Sequence, residues 1–317
     1  MNQAVQHHPS RLEFEAIEAC PICGGQKLRS KFDVRHIIDD PLHCFALEQD
    51  YSIASIFACL ECGFLFKRKQ PSAANLRQLY ANSNDSYLES IAEEHTGIRE
   101  DFRVARQLLY EAFPRGGSIL DLGCASGFFL ESLGKNWNRQ GLEISALAVE
   151  RSRRRPGILV HQRELARAGF DQESFDVVSS FDVIEHLSNP IPMFREARRI
   201  LKPGGWFLIG TGDAGCFAAR ASGSRWTYMC IPEHLSFYNP RSLRKGLTQA
   251  GFSSFKFKRV HHGLRSCSVA SAWLRGVGKH WAVELFGGDV LRLSMFRQKT
   301  PEFLVPYFFD HMLCIAR

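Results

Sequence analysis

The sequence has no apolar run near the ~18 residues that a membrane-spanning helix needs; its longest candidate, Phe303 to Phe309, is broken by Pro306. The opening MNQAVQHHPSRLEFEA lacks the apolar core of a secretory signal. Internal repeats, low-complexity tracts and a G-x-G-x-x-G dinucleotide fingerprint are also missing. These absences argue against a membrane-spanning, fibrous or repeat protein and lead to the expectation of a cytoplasmic globular chain. In a reducing compartment its ten cysteines read as thiols or metal ligands in preference to disulfides.

With 317 residues, 45% hydrophobic and 23% charged, the chain has the apolar content for one large domain and a smaller module. A formal charge of +7 permits an anionic partner. However, the densest basic run, Arg151-Ser-Arg-Arg-Arg155, continues a helical stretch (ISALAVE) and reads as a solvated face. Charge is therefore weak evidence for a nucleic-acid partner.

Two cysteine pairs, Cys20-Pro-Ile-Cys23-Gly and Cys59-Leu-Glu-Cys62-Gly, mark a module over residues 1–70. A C-x-x-C turn followed by glycine lets both sulfurs face one ion, and two such turns complete a tetrahedral zinc site. With all four positions taken by sulfur the metal would be structural. The alternatives are four unrelated buried thiols, or a redox dithiol, which the second pair disfavours. Cys44, His36 and His43 lie between the pairs without that spacing.

Residues 71–115 have helical spacing and read as a connector and substrate-side lid, closed by Pro114-Arg-Gly-Gly117. From 116 to 317 strands and helices alternate: strands at Ser118–Asp121, Gln140–Glu143, Ile158–His161, Phe175–Ser180, Trp206–Gly210 and Phe255–Val260, with helices between. Alternation of this kind predicts an α/β, doubly wound, Rossmann-like parallel sheet with its ligand at the carboxyl ends of the strands. Asn239-Pro starts the last of these helices with a cap and Gly251 stops it. The closing FFDHMLCIAR reads as a final edge strand, and about 261–304 as an insertion.

The first strand of this domain ends in Asp121-Leu-Gly123-Cys-Ala125-Ser-Gly127, and a helix follows at once. Small residues at such a turn let a ligand approach the free backbone N–H groups of the helix start. The next strand ends in Glu143, about twenty residues on, where a carboxylate can accept both hydroxyls of a ribose. That pattern suits a nucleotide-like cofactor.

Together with SFDVVSSFDVIEHLSNP, EARRILKPGG and WFLIG in order, these segments resemble the class I S-adenosylmethionine-dependent methyltransferases over roughly residues 116–260. The resemblance implies a seven-stranded sheet and S-adenosylmethionine as cofactor. It also implies that Asp121, Gly123 and Gly127 hold the methionine end, Glu143 the ribose and Ile144 the adenine face. Glu164 and Leu165 would flank the adenine edge, and Phe181 would lie beside the sulfonium. Ala125 stands where many relatives have glycine. Glu185-His186 reads as an acid and imidazole fixing a turn, with catalysis as the alternative.

Farther on, Glu233-His234-Leu-Ser-Phe-Tyr238 lies on a loop between strand and helix, where an acceptor would bind. With the cysteine module, this segment is similar to one in bacterial enzymes that methylate sugars and nucleotide sugars, which implies a small-molecule or sugar acceptor. His234 is the candidate general base, because imidazole titrates nearest neutral pH, with Glu233 as its neighbouring acid. A histidine that only hydrogen-bonds the loop is the competing reading. Tyr87, Tyr228 and Tyr238 are candidates to line the pocket. Two alternatives remain: a ribosomal RNA methyltransferase with a zinc head, although FDVIEHL is unlike the Asn-Pro-Pro-Tyr type that suits base amines, and a non-catalytic zinc-bearing binding module.

Overall fold

A computed structural model of the chain describes residues 13–36, 51–81, 99–260 and 310–317. The N-terminal strands are β1 (Phe14–Ala16), β2 (Leu28–Arg35), β3 (Ile53–Cys59), β4 (Leu65–Lys67) and β5 (Lys69–Pro71). After helices at Ala73–Ala81 and Glu100–Ala112 come β6 (Ser118–Leu122), β7 (Asn138–Glu143), β8 (Ile158–Gln162), β9 (Phe175–Phe181) and β10 (Leu201–Gly212). Then follow the short β11 (Ser236–Phe237), β12 (Phe255–Val260) and β13 (His311–Ala316). Tyr87 and the expected insertion at 261–304 lie outside the described residues.

The main sheet has seven strands in the order β12-β13-β10-β9-β6-β7-β8. From β10 to β8 the pairing is parallel. Helices cover both faces, so β9 (FDVVSSF) and the first strand's SILDL are buried almost throughout, as a doubly covered parallel sheet requires.

Two expectations change here. The sheet is mixed, because β13 runs antiparallel to both its neighbours. Moreover, β13 is an interior strand, and β12 is the edge. All six residues of β13 are buried whereas β12 is largely open to solvent; the uninterrupted apolar Met312-Leu-Cys-Ile-Ala316 is the signature of a strand covered on both faces. β13 extends to the carboxyl ends of β9 and β10, because Gly212 pairs with His311.

Helix Glu100–Ala112 buries Phe102, Ala105 and Leu109 at helical spacing, and they join Phe129, Phe181 and Leu313 in one core cluster. Helix Pro240–Gln249 has the expected start: Asn239 and Ser242 form a reciprocal capping box with Pro240 in the first turn.

The cysteine module is fused to this domain. Its sheet runs β11-β4-β3-β2, so one strand of it comes from the 230s loop. Cys20, Ile22, Phe64 and Phe66 share a buried cluster with Phe194, Phe207, Tyr238 and Leu243. None of the helices among the described residues is long and apolar enough to cross a membrane.

Candidate functional site

Asp121 is the fourth residue of β6, buried at the sheet's carboxyl end, and its Oδ1 accepts from the Ser179 hydroxyl at 2.7 Å. Burial pushes its carboxyl up to about 7, against the Ser179 hydrogen bond. The neighbouring charge of Glu143 adds to the rise and that of Arg99 opposes it. Gly123 has φ +67°, and a Cβ there would stand 2.5 Å from Val183 Cγ2. Only glycine therefore keeps the turn closed on the strand tips. Gly127, at φ +84°, begins helix Phe128–Ser132. Ala125 adopts a left-handed φ of +46°, a conformation that favours glycine.

Glu143 is fixed by three backbone amides: Ile144 N at 2.7 Å and Ser145 N at 2.9 Å on Oε1, and Ala125 N at 3.0 Å on Oε2. Burial raises its pKa and these bonds oppose the rise. A carboxylate offers about four acceptor positions, so Oε2 keeps one for a hydroxyl donor. Ile144 adjoins it. In the loop after β8, Glu164 faces Arg77 across 3.7 Å, while Leu165 packs on the sheet core. Phe181 ends β9, but its ring turns into the core, 4.6 Å from Phe129 and 4.9 Å from Phe102. A buried acid able to face an ammonium, a turn cleared of side chains and an anchored carboxylate on the adjacent strand tip fit S-adenosylmethionine.

A residue the sequence reading missed stands beside these. Arg99 is buried and bridges Asp101 (2.5 Å) and Asp182 (2.6 Å), the latter with φ +52° just past β9. The arginine precedes a helix with no cap motif, and its partner Asp182 lies 83 residues on, so no local signal marks it.

Beyond the strand tips, the 230s loop lies against the turn that follows β9. Leu235 N donates to Glu185 O, Ser236 Oγ to Leu187 O and Tyr238 Oη to Ile184 O. Glu185 is fully buried, and its carboxylate accepts from Tyr228 Oη (2.5 Å) and Thr211 Oγ1 (3.0 Å). Burial raises its pKa, with Asp182 adding to the effect. His186 Nδ1 lies 3.0 Å from Glu233 O and 2.7 Å from Tyr80 Oη.

His234 Nδ1 lies 2.9 Å from Tyr228 O. A carbonyl only accepts, so Nδ1 carries the proton and Nε2 keeps a lone pair. Burial first, then His186 and Lys67, pushes the imidazole well below its ordinary pKa. His234 is thus a neutral base held in one tautomer. Its ring lies 4.1 Å from Tyr228 and 4.8 Å from His186, and Tyr228 is in turn 5.2 Å from His311. Ligand atoms of Glu185, His186 and His234 all fall within 4.8 Å of one another.

Two tyrosines take roles unlike the expected ones. Tyr238 is fully buried between Phe64 and the β9 turn, with its hydroxyl spent on Ile184 O; it fastens the loop and does not line a pocket. Tyr228 presents its ring toward the imidazoles, but its hydroxyl accepts from Gly212 N and donates to Glu185.

In the cysteine module, sulfurs of Cys20 and Cys62 are 3.5 Å apart, as are those of Cys23 and Cys59, and all four lie within 4.8 Å. Gly24 and Gly63 turn back with φ +73° and +75°, donating to Cys20 O and Cys59 O. The Cys20 thiol first, and then the backbone N–H of Phe64, push Cys62 down to about 5, while Cys20 is pushed up. Thiol spacing and backbone donors of this kind fit a tetrahedral ion with metal–sulfur bonds of about 2.3 Å.

Residues 97–254 match a protein family described as a methyltransferase domain. The chain is similar to a probable S-adenosylmethionine-dependent methyltransferase from Mycolicibacterium smegmatis, with 31% identity over 55% of this chain and 65% of the relative. It is also similar to a bifunctional biotin-biosynthesis protein from Teredinibacter turnerae, with 28% identity over 74% of this chain and 44% of the relative. The chain thus spans less than two thirds of either length. A phosphoethanolamine N-methyltransferase from Haemonchus contortus, solved with S-adenosyl-L-methionine, shares the fold at TM-score 0.52 and 16% identity over 92% of this chain and 69% of that one. Family match, fold and strand-tip geometry agree: the chain carries, over residues 97–254, a methyltransferase domain of the S-adenosylmethionine-dependent type.

Proposed function

We propose that the protein methylates a small polar acceptor of the sugar or glycosyl class, working in the cytoplasm with S-adenosylmethionine as donor. The observation that carries this reading is His234: neutral, held as the Nδ1–H tautomer by Tyr228 O, with the opposite nitrogen available as a base. The donor supplies an electrophilic methyl on a sulfonium. Asp121, Gly123 and Gly127 bind its methionine end, Glu143 its ribose, and Ile144, Glu164 and Leu165 its adenine; Phe181 backs the strand tip nearest the sulfonium.

As the methyl moves, its bond to sulfur breaks and a bond to an acceptor oxygen or carbon forms. The acceptor's proton passes to His234 Nε2, and S-adenosylhomocysteine leaves. Alignment and proton removal are the protein's contributions. Glu233 holds His186 through its backbone carbonyl, and Tyr228 offers a ring wall. Cys20, Cys23, Cys59 and Cys62 bind one structural zinc.

The test supplies methyl-labelled cofactor with cell extract fractionated into nucleic acid, polysaccharide and small molecules. Label in the saccharide or small-molecule fraction is expected. Label in RNA overturns the acceptor class.

A further inference from the structure

The loop that carries Glu233 and His234 is held on two sides. One side is the β9 turn of the catalytic domain. The other is the cysteine module, and its hold is the more extensive. β11 pairs with β4, Phe237 opposite Leu65 and Ser236 opposite Phe66. Lys67 N donates to Leu235 O at 2.9 Å, and Gln70 Nε2, bonded to Lys67 O, reaches the same carbonyl at 3.5 Å. Around the second cysteine turn, Asn239 Nδ2 donates to Gly63 O and Arg241 to Glu61 O, both at 3.0 Å.

Lys67 is the unusual member. It is completely buried, which is rare for an ammonium without a strong reason. Its Nζ donates to Ile231 O at 2.6 Å and Pro232 O at 3.2 Å, the two carbonyls immediately before Glu233. Burial pushes its pKa down to about 7, and the Glu233 and Cys230 charges pull it back up. The module brings a second polar group as well. Tyr51, 1% exposed, feels the charge of Glu233, and its hydroxyl has no hydrogen-bond partner among the described residues.

We infer that the cysteine module completes the acceptor site: Lys67 is the positioning residue that sets the segment bearing Glu233 and His234, and an intact four-cysteine centre keeps Lys67 in place. An ammonium clamped on two successive carbonyls fixes both peptide planes ahead of Glu233 in a way that a flexible loop cannot. The second cysteine turn begins at the end of β3 and leads directly into β4, so a disordered centre would release the strand from which Lys67 projects. The inference rests on reading the 230s loop as the acceptor side, yet its main readouts need no acceptor.

Hydrogen exchange on the full chain tests it, comparing zinc-loaded protein with protein stripped by chelator, and zinc-loaded Lys67→Met and Lys67→Gln with wild type. In the stripped protein and in Lys67→Met, amides 231–238 are expected to exchange at least tenfold faster while 118–143 stay protected. Lys67→Met keeps its metal by elemental analysis and its affinity for S-adenosylhomocysteine, and the ring-nitrogen resonances of His234 lose the single Nδ1–H signature. Lys67→Gln, which retains donors for the carbonyls, partly restores protection. Unchanged exchange in 231–238 on both chelation and Lys67→Met overturns the inference. A loosened loop with no methyl transfer to any saccharide would leave the inference standing and sink the proposed acceptor instead.

Discussion

Tyr228 Oη stands 2.5 Å from Glu185 Oε1 and 2.9 Å from Gly212 N, so one phenol ties the tip of β10 to the buried acid that follows β9. The hydroxyl donates to one and accepts from the other. Removing it in Tyr228→Phe leaves a buried carboxylate one donor short and a buried amide without its acceptor. A loss of about 1 to 3 kcal/mol of stability follows, since an unsatisfied buried group costs that much. Urea denaturation reads it, and an unshifted midpoint would show that Glu185 finds another donor.

Glu143→Ala is expected to weaken S-adenosylmethionine binding by about 1 to 3 kcal/mol, because a ribose hydroxyl loses a charged acceptor. The backbone amides of Ala125, Ile144 and Ser145 lose theirs too, so part of the effect will be a slackened turn. Calorimetry on the variant checks this, and equal affinity removes Glu143 from the site.

The raised carboxyl of Asp121 makes cofactor affinity depend on pH. Its folded-state pKa, about 7 where an unperturbed aspartate lies near 3.8, means the unliganded protein carries a proton there below neutrality. A cation at the methionine end favours the charged form. Binding must then release that proton, and affinity should fall by up to tenfold per unit as pH drops below about 7, levelling above it. Asp121→Asn should bind more weakly and flatly with pH. Titrations at pH 6 and pH 8 giving one affinity for wild type would place the ammonium elsewhere.

Protein purified without chelator should contain about one zinc per chain, and Cys62→Ser should lose it along with much of the stability of the module. Because Phe64 and Phe66 share a cluster with Phe194 and Leu243, the loosening should reach the catalytic domain's thermal transition. Metal-free protein with an unaltered transition would make the cysteines plain buried thiols.

His234→Gln preserves size and polarity while removing the base. With the acceptor in hand, kcat should fall by on the order of 10² to 10⁴ and cofactor affinity should hold. Near-normal turnover would leave His234 the lesser task of bonding Tyr228 O.

The turn at the end of β6 was legible because its signals are local. A strand, a glycine turn and a helix start lie within a dozen or so residues of each other, and the positive φ angles of Gly123 and Gly127 can be read from residue type. The capping box at Asn239 and the cysteine turns are local in the same sense. The 230s loop was only half legible. EHLSFY marked a loop that packs against the turn after β9, yet Tyr238 proved to be a buried fastener, and besides Tyr228 the neighbours of this loop came from elsewhere: His186 in the turn after β9, and Lys67 on β4.

The sequence by itself determined the α/β class of the main sheet, the glycine turn at the end of β6 and the pairing of cysteines into two knuckles, since periodicity, glycine positions and short spacings are properties of neighbouring residues. Only the tertiary structure decided that β13 lies inside the sheet, that Arg99 bridges two acids, and that Lys67 reaches Ile231 across 164 residues of chain. Such contacts leave no periodic trace. A buried lysine in a strand reads as polar whether it faces water or two carbonyls, and its meaning emerges only when the fold has closed over it and desolvation forces it to find acceptors.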